Sequence, residues 1–175
     1  MALTPVSQLL ASIQQQLLDH MSAKSITNPL IIGIHTGGVW LAQRIHDALT
    51  QIHKVNDPLG TLDISFYRDD FTQAGLNPNV KPSTLPASTE GRHIILIDDV
   101  LMTGRTIRAA LNVLFEYGRP ASITLVALVD LNARELPIKA DIVGQVLDLP
   151  SNQRVKLYGP ENLSLKIKSL EQEST

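Results

Sequence analysis

An α/β fold with a central, mostly parallel sheet flanked by helices is predicted by three observations. Short apolar runs alternate along the chain with amphipathic helical stretches, the order of repeated strand–helix units. Two of the runs, Leu30-Ile31-Ile32-Gly33-Ile34 and Ile94-Ile95-Leu96-Ile97, lack the alternation of a half-exposed strand and suit strands buried on both faces. Each gives way to a polar segment with glycine, and in such sheets ligands sit beyond the carboxyl ends of the strands. The 175 residues fit one domain spanning 1–175 with a sizeable core.

Composition narrows the chemistry. Cysteine is absent, which excludes disulfides, a thiol nucleophile and thiolate-held metal. The net charge of −2 gives no global reason to bind nucleic acid, so any such role needs a local basic face. No apolar run approaches the roughly 18 residues of a spanning helix, and Met1-Ala2-Leu3-Thr4-Pro5 lacks the charged start and apolar stretch of a secretory signal. The expectation is a cytoplasmic protein with no membrane partner.

The elements follow in order. Thr4-Pro5 reads as an N-cap and first helical residue, opening a helix whose stripe is Val6, Leu9, Leu10, Ile13, Leu17 and Met21. Asn28-Pro29 breaks the chain before the first buried strand. His35-Thr36-Gly37-Gly38 is expected as a flexible loop, followed by a helix on Val39, Leu41, Ala42, Ile45, Ala48 and Leu49. Leu62 to Phe66 alternates as a strand with one wetter face. Asp69 to Gly91 has no period, and an unstructured stretch of ~20 residues in a compact domain reads as a long flexible lid, a binding loop or a disordered segment.

After the central strand, Ile107, Ala110, Leu111 and Leu114 predict a helix that Gly118 can end. Ser122 to Val129 is another buried strand and Asp141 to Gly144 a short one. Val155-Lys156-Leu157 and Leu163 to Ile167 alternate around Tyr158 to Asn162, which predicts a small C-terminal β hairpin or hood.

The run from Ile94 to Thr106 carries most of the chemistry. A buried strand delivers Asp98 and Asp99 to a sheet edge, where the pair can share a ligand if the strand ends and the chain turns. Carboxylates only accept hydrogen bonds, so they suit a partner rich in hydroxyls, such as the diol of a ribose. Thr103, Gly104, Arg105 and Thr106 then open a helix whose unpaired N–H groups and dipole suit a phosphate. No Gly-Lys-Ser/Thr element is present, so a P-loop does not explain the pattern.

This run resembles the phosphoribosyl pyrophosphate (PRPP) motif of type I phosphoribosyltransferases. Leu62 to Asp70, Gly118-Arg119-Pro120, Val129-Asp130 and Arg134-Glu135-Leu136-Pro137-Ile138 extend the likeness to the branch that couples uracil phosphoribosyltransferase activity to regulation of pyrimidine operons. The resemblance implies the type I phosphoribosyltransferase fold and a reaction in which uracil and PRPP give UMP and pyrophosphate. It implies PRPP binding by Asp98, Asp99, Val100, Leu101, Met102, Thr103, Gly104, Arg105 and Thr106, with Mg²⁺ brought in by PRPP rather than held by a protein cage. His35, Thr36, Gly37 and Gly38 take the place of the pyrophosphate loop, with unusual backbone geometry expected between His35 and Gly38. Arg68 joins Asp98 and Asp99 as a catalytic candidate, Lys81 belongs to the lid, and Asp130, Leu131 and Val155 mark the base site. A homo-oligomer is implied, as is binding of pyrimidine-operon mRNA under control of UMP. For that RNA the candidates are Arg134 and Lys139, with His20 and Lys24 adjoining.

Three departures from the branch pattern define the alternatives. Gly37 stands where an Arg is usual, Met102 where a Tyr is usual, and Leu131-Asn132-Ala133 where Arg-Gly-His is usual. Met102 cannot serve as the general base that purine enzymes place there, and it reads as a packing residue. The alternatives are a catalytically weak nucleotide or PRPP sensor and a phosphoribosyltransferase for another nucleobase.

Overall fold

The computed structural model describes residues 2–65, 83–86 and 88–170. Helix α1 (Val6–Ala23) leads into β1 (Leu30–Ile34), α2 (Gly37–Gln51) and β2 (Gly60–Leu62). Strand β3 (His93–Leu101), α3 (Arg105–Glu116), β4 (Ser122–Asp130) and β5 (Ile142–Val146) follow. Strands β6 (Gln153–Tyr158) and β7 (Ser164–Ser169) close the series as an antiparallel hairpin.

The first five strands form one parallel sheet in the order β2-β1-β3-β4-β5. The chain runs outward from β1 to one side and from β3 to the other. The crevice beyond the carboxyl ends of β1 and β3 is therefore the topological switch point, where open α/β sheets bind ligands. The expected mostly parallel sheet is found.

Alternation sorts the core into two layers. Ile31, Ile95 and Ile97 face α1 and α2, packing with Leu9, Ile13, Leu17, Leu41, Ile45 and Leu49. Leu30, Ile32, Ile94 and Leu96 face the other way, onto Ile107, Ala110, Val113 and Leu114 of α3. Each such side chain stabilises by about 1.5–3 kcal/mol when fully withdrawn from water. The hairpin joins the first layer through buried Val155 and Leu157. Its turn is tied to α2 by Arg44, whose Nη2 donates to the Pro160 carbonyl at 2.6 Å and the Glu161 carbonyl at 3.1 Å.

Several boundaries differ from the sequence expectation, each for a local reason. Pro5 is the N-cap rather than the first helical residue, because its carbonyl accepts from Gln8 and Leu9 while the Thr4 N–H goes to Gln145 Oε1. Strand β2 ends at Leu62, so the strand expected over 62–66 is displaced towards Gly60. Asp63 is buried and its carboxylate turns back to accept from the Ser65 N–H and hydroxyl, which ends the pairing. The 69–91 stretch is not loop throughout. Thr84 exchanges two backbone hydrogen bonds of 2.8 Å with Thr61, and buried Thr89 donates its hydroxyl to the Leu114 carbonyl. Arg68, Lys81 and the rest of the expected lid between them lie outside the described residues. Among the described residues, no helix is long and apolar enough to cross a membrane.

Candidate active site

Strand β3 does not end at its carboxylates. It continues through Asp98 and Asp99 to Leu101, paired with β4 at Asp98, Val100 and Leu101. Neighbouring residues on a strand set out on opposite faces, but the two carboxyl groups turn back far enough to hydrogen-bond each other. Asp98 lines a pocket of about 370 Å³ together with Met102 and the start of α3. Asp99 lies on the α2 side, against Gly37. The strand end expected at the pair lies further on, yet the two carboxyl groups still meet at the switch point.

Both carboxylates are held locally. Asp98 Oδ1 accepts the Asp99 N–H at 3.0 Å, and Asp99 Oδ1 accepts the Val100 N–H at 3.0 Å. Burial pushes the Asp98 carboxyl well above the usual carboxylate range, and the neighbouring Asp99 charge pushes it the same way. Burial also raises Asp99, while its contact with the Asp98 carboxyl and its bond from Val100 pull it back. The pair binds a proton more readily than free carboxylates do. A ligand that brings hydroxyl donors or positive charge relieves that cost.

The connection from β1 to α2 is shorter than predicted. Only His35 and Thr36 separate strand from helix, and Gly37 and Gly38 already belong to the first turn of α2. The expected unusual backbone geometry is present as a cis peptide between His35 and Thr36. Both glycines are demanded by packing. A Cβ at Gly37 would stand 2.3 Å from Asp99 Oδ2, and one at Gly38 would stand 2.4 Å from the Ile97 carbonyl oxygen. A larger residue at position 37 would displace the Asp99 side chain, whereas one at 38 would meet backbone. Gly37 sets the Asp99 carboxylate against the positive end of α2.

The connection from β3 to α3 is built differently. Gly104 is the N-cap at φ +91, a conformation that favours glycine. No side chain caps α3 in the usual way and its first turn holds no acidic residue. The Thr103 hydroxyl accepts the Arg105 N–H at 3.2 Å. An uncapped N-terminus of a twelve-residue helix, with no acidic residue in its first turn, suits an anion.

A segment some thirty residues further on braces this connection. Arg134 Nη1 donates to the Met102 carbonyl at 2.7 Å, and its Nε donates to the Ile138 carbonyl at 2.7 Å. Its Nη2 pairs with Asp130, at the end of β4. The Thr103 carbonyl accepts from the Glu135 and Leu136 N–H groups, and Arg105 Nε meets Glu135 Oε2 at 2.8 Å.

The pocket gathers Asp98, Val100, Leu101, Met102 and Thr103 to Thr106 from the expected PRPP residues, and Leu131 and Val155 from the expected base site. Three residues are placed otherwise, the first being Asp99, which lies against Gly37 and outside the pocket lining. Asp130 holds Arg134 and is not part of the pocket lining. Arg134, expected to face RNA, is turned inward on the brace, whereas Lys139 is exposed. Met102 packs its side chain against the first core layer, as expected of a packing residue. Sequence reading missed Arg154, which lines the pocket beside Val155. The one available hint was its position next to a base-site residue on the same strand. It also missed the Asp130–Arg134 brace, although two opposite charges four residues apart after a buried strand were visible.

Among the described residues, no group of three His, Asp or Glu side chains could enclose a metal ion. The hard carboxylate oxygens at the pocket instead fit a magnesium ion that keeps waters and arrives on a phosphorylated ligand.

The comparisons agree with this geometry. A family model for the phosphoribosyl transferase domain matches residues 4–158. The chain is similar to the "Bifunctional protein PyrR" of Pseudomonas paraeruginosa, with 55% identity over 170 residues covering 97% of this chain and 98% of the relative. The protein of the same name from Pseudomonas fluorescens is 54% identical, covering 97% and 99%. Among solved structures, a hypoxanthine phosphoribosyl transferase of Trypanosoma cruzi superposes with a TM-score of 0.64 at 24% identity, covering 84% of this chain and 77% of that one. One from Staphylococcus aureus gives 0.60 at 20% identity, covering 86% and 78%. At that identity the two structures speak for the fold.

Proposed function

The chain belongs to the phosphoribosyl transferase family, and on that premise we propose that it joins uracil to PRPP, forming UMP and releasing pyrophosphate, and answers to UMP as an RNA-binding regulator of pyrimidine genes. One observation carries the enzymatic reading. A buried carboxylate, an uncapped helix N-terminus and the expected base-site residues Leu131 and Val155 line one pocket of about 370 Å³.

In this reading the N–H groups and hydroxyls of Thr103 to Thr106 hold the 5′-phosphate. Asp98 and Asp99, whose carboxyl groups meet each other, accept from the ribose hydroxyls, and His35 to Gly38 receive the pyrophosphate at the positive end of α2. Displacement at the anomeric carbon builds positive charge on the ribose. Two carboxylates in a poorly solvated site stabilise that charge more strongly than they would in water. A magnesium ion arriving with PRPP would lie near the carboxylates of Asp98 and Asp99 and would supply charge neutralisation for the pyrophosphate. Arg68 and Lys81 are proposed to reach the pyrophosphate from the segment that follows β2. The protein acts in the cytoplasm as a homo-oligomer, where PRPP, uracil and mRNA meet.

The identity of the base is tested directly. Incubation with PRPP, Mg²⁺ and each of uracil, hypoxanthine, guanine and orotate should release pyrophosphate with uracil. Release with hypoxanthine or guanine instead would assign the pocket to another nucleobase. Tight PRPP or UMP binding without turnover would make the protein a sensor.

A further inference from the structure

Joining uracil to PRPP releases one proton. The N1–H bond of uracil breaks and its proton passes to water. The N1 electron pair forms the bond to the anomeric carbon. The bond from that carbon to the pyrophosphate oxygen breaks, and its electron pair leaves with pyrophosphate. Among the described residues that line the pocket, only Asp98 could take the proton near neutral pH, and the reading above gives it to the ribose. Met102 and the threonines are not bases. The readiness of uracil to ionise in the site is then set by the charges around it.

Two cations line the pocket. Arg105 opens α3 and meets the Glu135 carboxylate at 2.8 Å. Arg154 meets no carboxylate among the described residues. Its Nη1 donates to the Ser151 and Gln153 carbonyls, each at 2.9 Å, which steadies the guanidinium without cancelling its charge. Its Nε and Nη2 stay available as donors. The other charged groups around it are Lys168 across the hairpin and Asp98 and Arg105 in the lining.

The position is firm. Arg154 is half-buried, and Val155 and Leu157 on the same strand are packed in the core. The pocket walls beside it, Val100, Leu101, Met102, Leu131 and Val155, are apolar. A cation in such surroundings acts on a neighbouring charge more strongly than it would in water. The uracil anion spreads its charge over a ring nitrogen and two carbonyl oxygens, acceptors that suit a planar guanidinium.

We propose that Arg154 is a catalytic residue that stabilises the uracil anion and so makes N1 nucleophilic without a protein base. The proposal rests on the uracil reading above and deepens it.

The test follows pyrophosphate release across pH with uracil and with 5-fluorouracil, whose ring N–H is more acidic. Arg154→Gln should lower kcat/KM for uracil about tenfold or more at neutral pH. Its rise in rate with pH should move up by about one unit, since a lost cation makes the N–H harder to ionise. The deficit should shrink as pH rises, and 5-fluorouracil should lose much less than uracil. Arg154→Lys keeps a positive charge and should recover most of the activity. Calorimetric binding of PRPP should persist in both variants, as a check on folding.

Equal losses for uracil and 5-fluorouracil with an unmoved pH profile would overturn the proposal, as would a lysine variant no better than the glutamine one. Loss of PRPP binding in both variants would place Arg154 on the phosphates instead. Orotate turned over faster than uracil, and lost in Arg154→Gln, would make a carboxylate its partner. No pyrophosphate release from uracil by the wild type at any pH would overturn the uracil reading itself.

Discussion

Two strand-to-helix connections at the same end of the sheet solve a similar problem by different means. The β1–α2 connection is specified by size. Its glycines let the helix start directly on Asp99 and the Ile97 carbonyl, with no room for a Cβ at either position. The β3–α3 connection is specified by hydrogen bonds from elsewhere. Arg134 holds the Met102 carbonyl, and Glu135 and Leu136 hold that of Thr103. At Gly38 the obstacle is backbone and tolerates nothing larger, whereas at Gly37 it is the Asp99 side chain, which would have to turn away. A connection fixed by a remote brace can be loosened by degrees, and it links the end of β4, where the base is expected, to the phosphate-binding helix.

The largest expected effect removes what both connections serve. Asp98→Asn and Asp99→Asn should each lower kcat for UMP formation by about a hundredfold or more. Activity within a few fold of wild type in both variants would break the assignment of this carboxylate pair to one substrate.

Next comes the steric connection. Gly37→Ala or Gly38→Ala should destabilise the protein by roughly 1–3 kcal/mol through overpacking, read from the urea midpoint, and should abolish most turnover. An unshifted midpoint would mean that the helix start can move aside.

The braced connection should respond more mildly and in a different parameter. Arg134→Gln leaves the Met102 carbonyl and the Asp130 carboxylate short of a partner, at a cost of about 1–3 kcal/mol. Its expected kinetic sign is a KM for PRPP raised roughly tenfold with a smaller change in kcat. Arg134→Lys should recover only part of this, since a single ammonium cannot reproduce the guanidinium fork. A purely structural residue would lower activity in proportion to the folded fraction and leave KM alone.

The smallest effect concerns pH and stability without ligand. Burial and the Asp99 charge raise the Asp98 pKa in the folded protein. The folded state therefore binds this proton more tightly than the unfolded chain does. The resulting penalty is absent below the ordinary carboxylate range and grows as pH rises through that range towards the raised value. Asp98→Asn should accordingly be more stable than wild type at neutral pH, with the difference vanishing in acid. Urea midpoints across pH would show it, and a variant less stable at pH 7 would contradict the burial account.

The legible parts of the sequence were those where a local pattern has one physical solution. The apolar runs at Leu30 and Ile94 could only be strands buried on both faces, and both appear in the centre of the sheet. Asp98-Asp99 followed by Thr103 to Thr106 marked the pocket because burial, charge and a helix start coincide there. The strand end was misplaced because carboxylates at an apolar run look like its terminus, whereas backbone pairing with β4 carries β3 on to Leu101. The bracing role of Arg134 was missed for the opposite reason. Its partners at Met102, Asp130 and Ile138 come together only in the fold, so a surface role was the natural reading of a cation in a polar segment.

The central claim is that the two connections hold opposite ends of one PRPP molecule. A crystal structure of the complex with PRPP and Mg²⁺ tests it most directly. The 5′-phosphate is expected on Thr103 to Thr106 at the start of α3, with the pyrophosphate at His35 to Gly38 and the ribose hydroxyls at Asp98 and Asp99. A 5′-phosphate bound away from α3, or a ribose out of reach of both carboxylates, would contradict it.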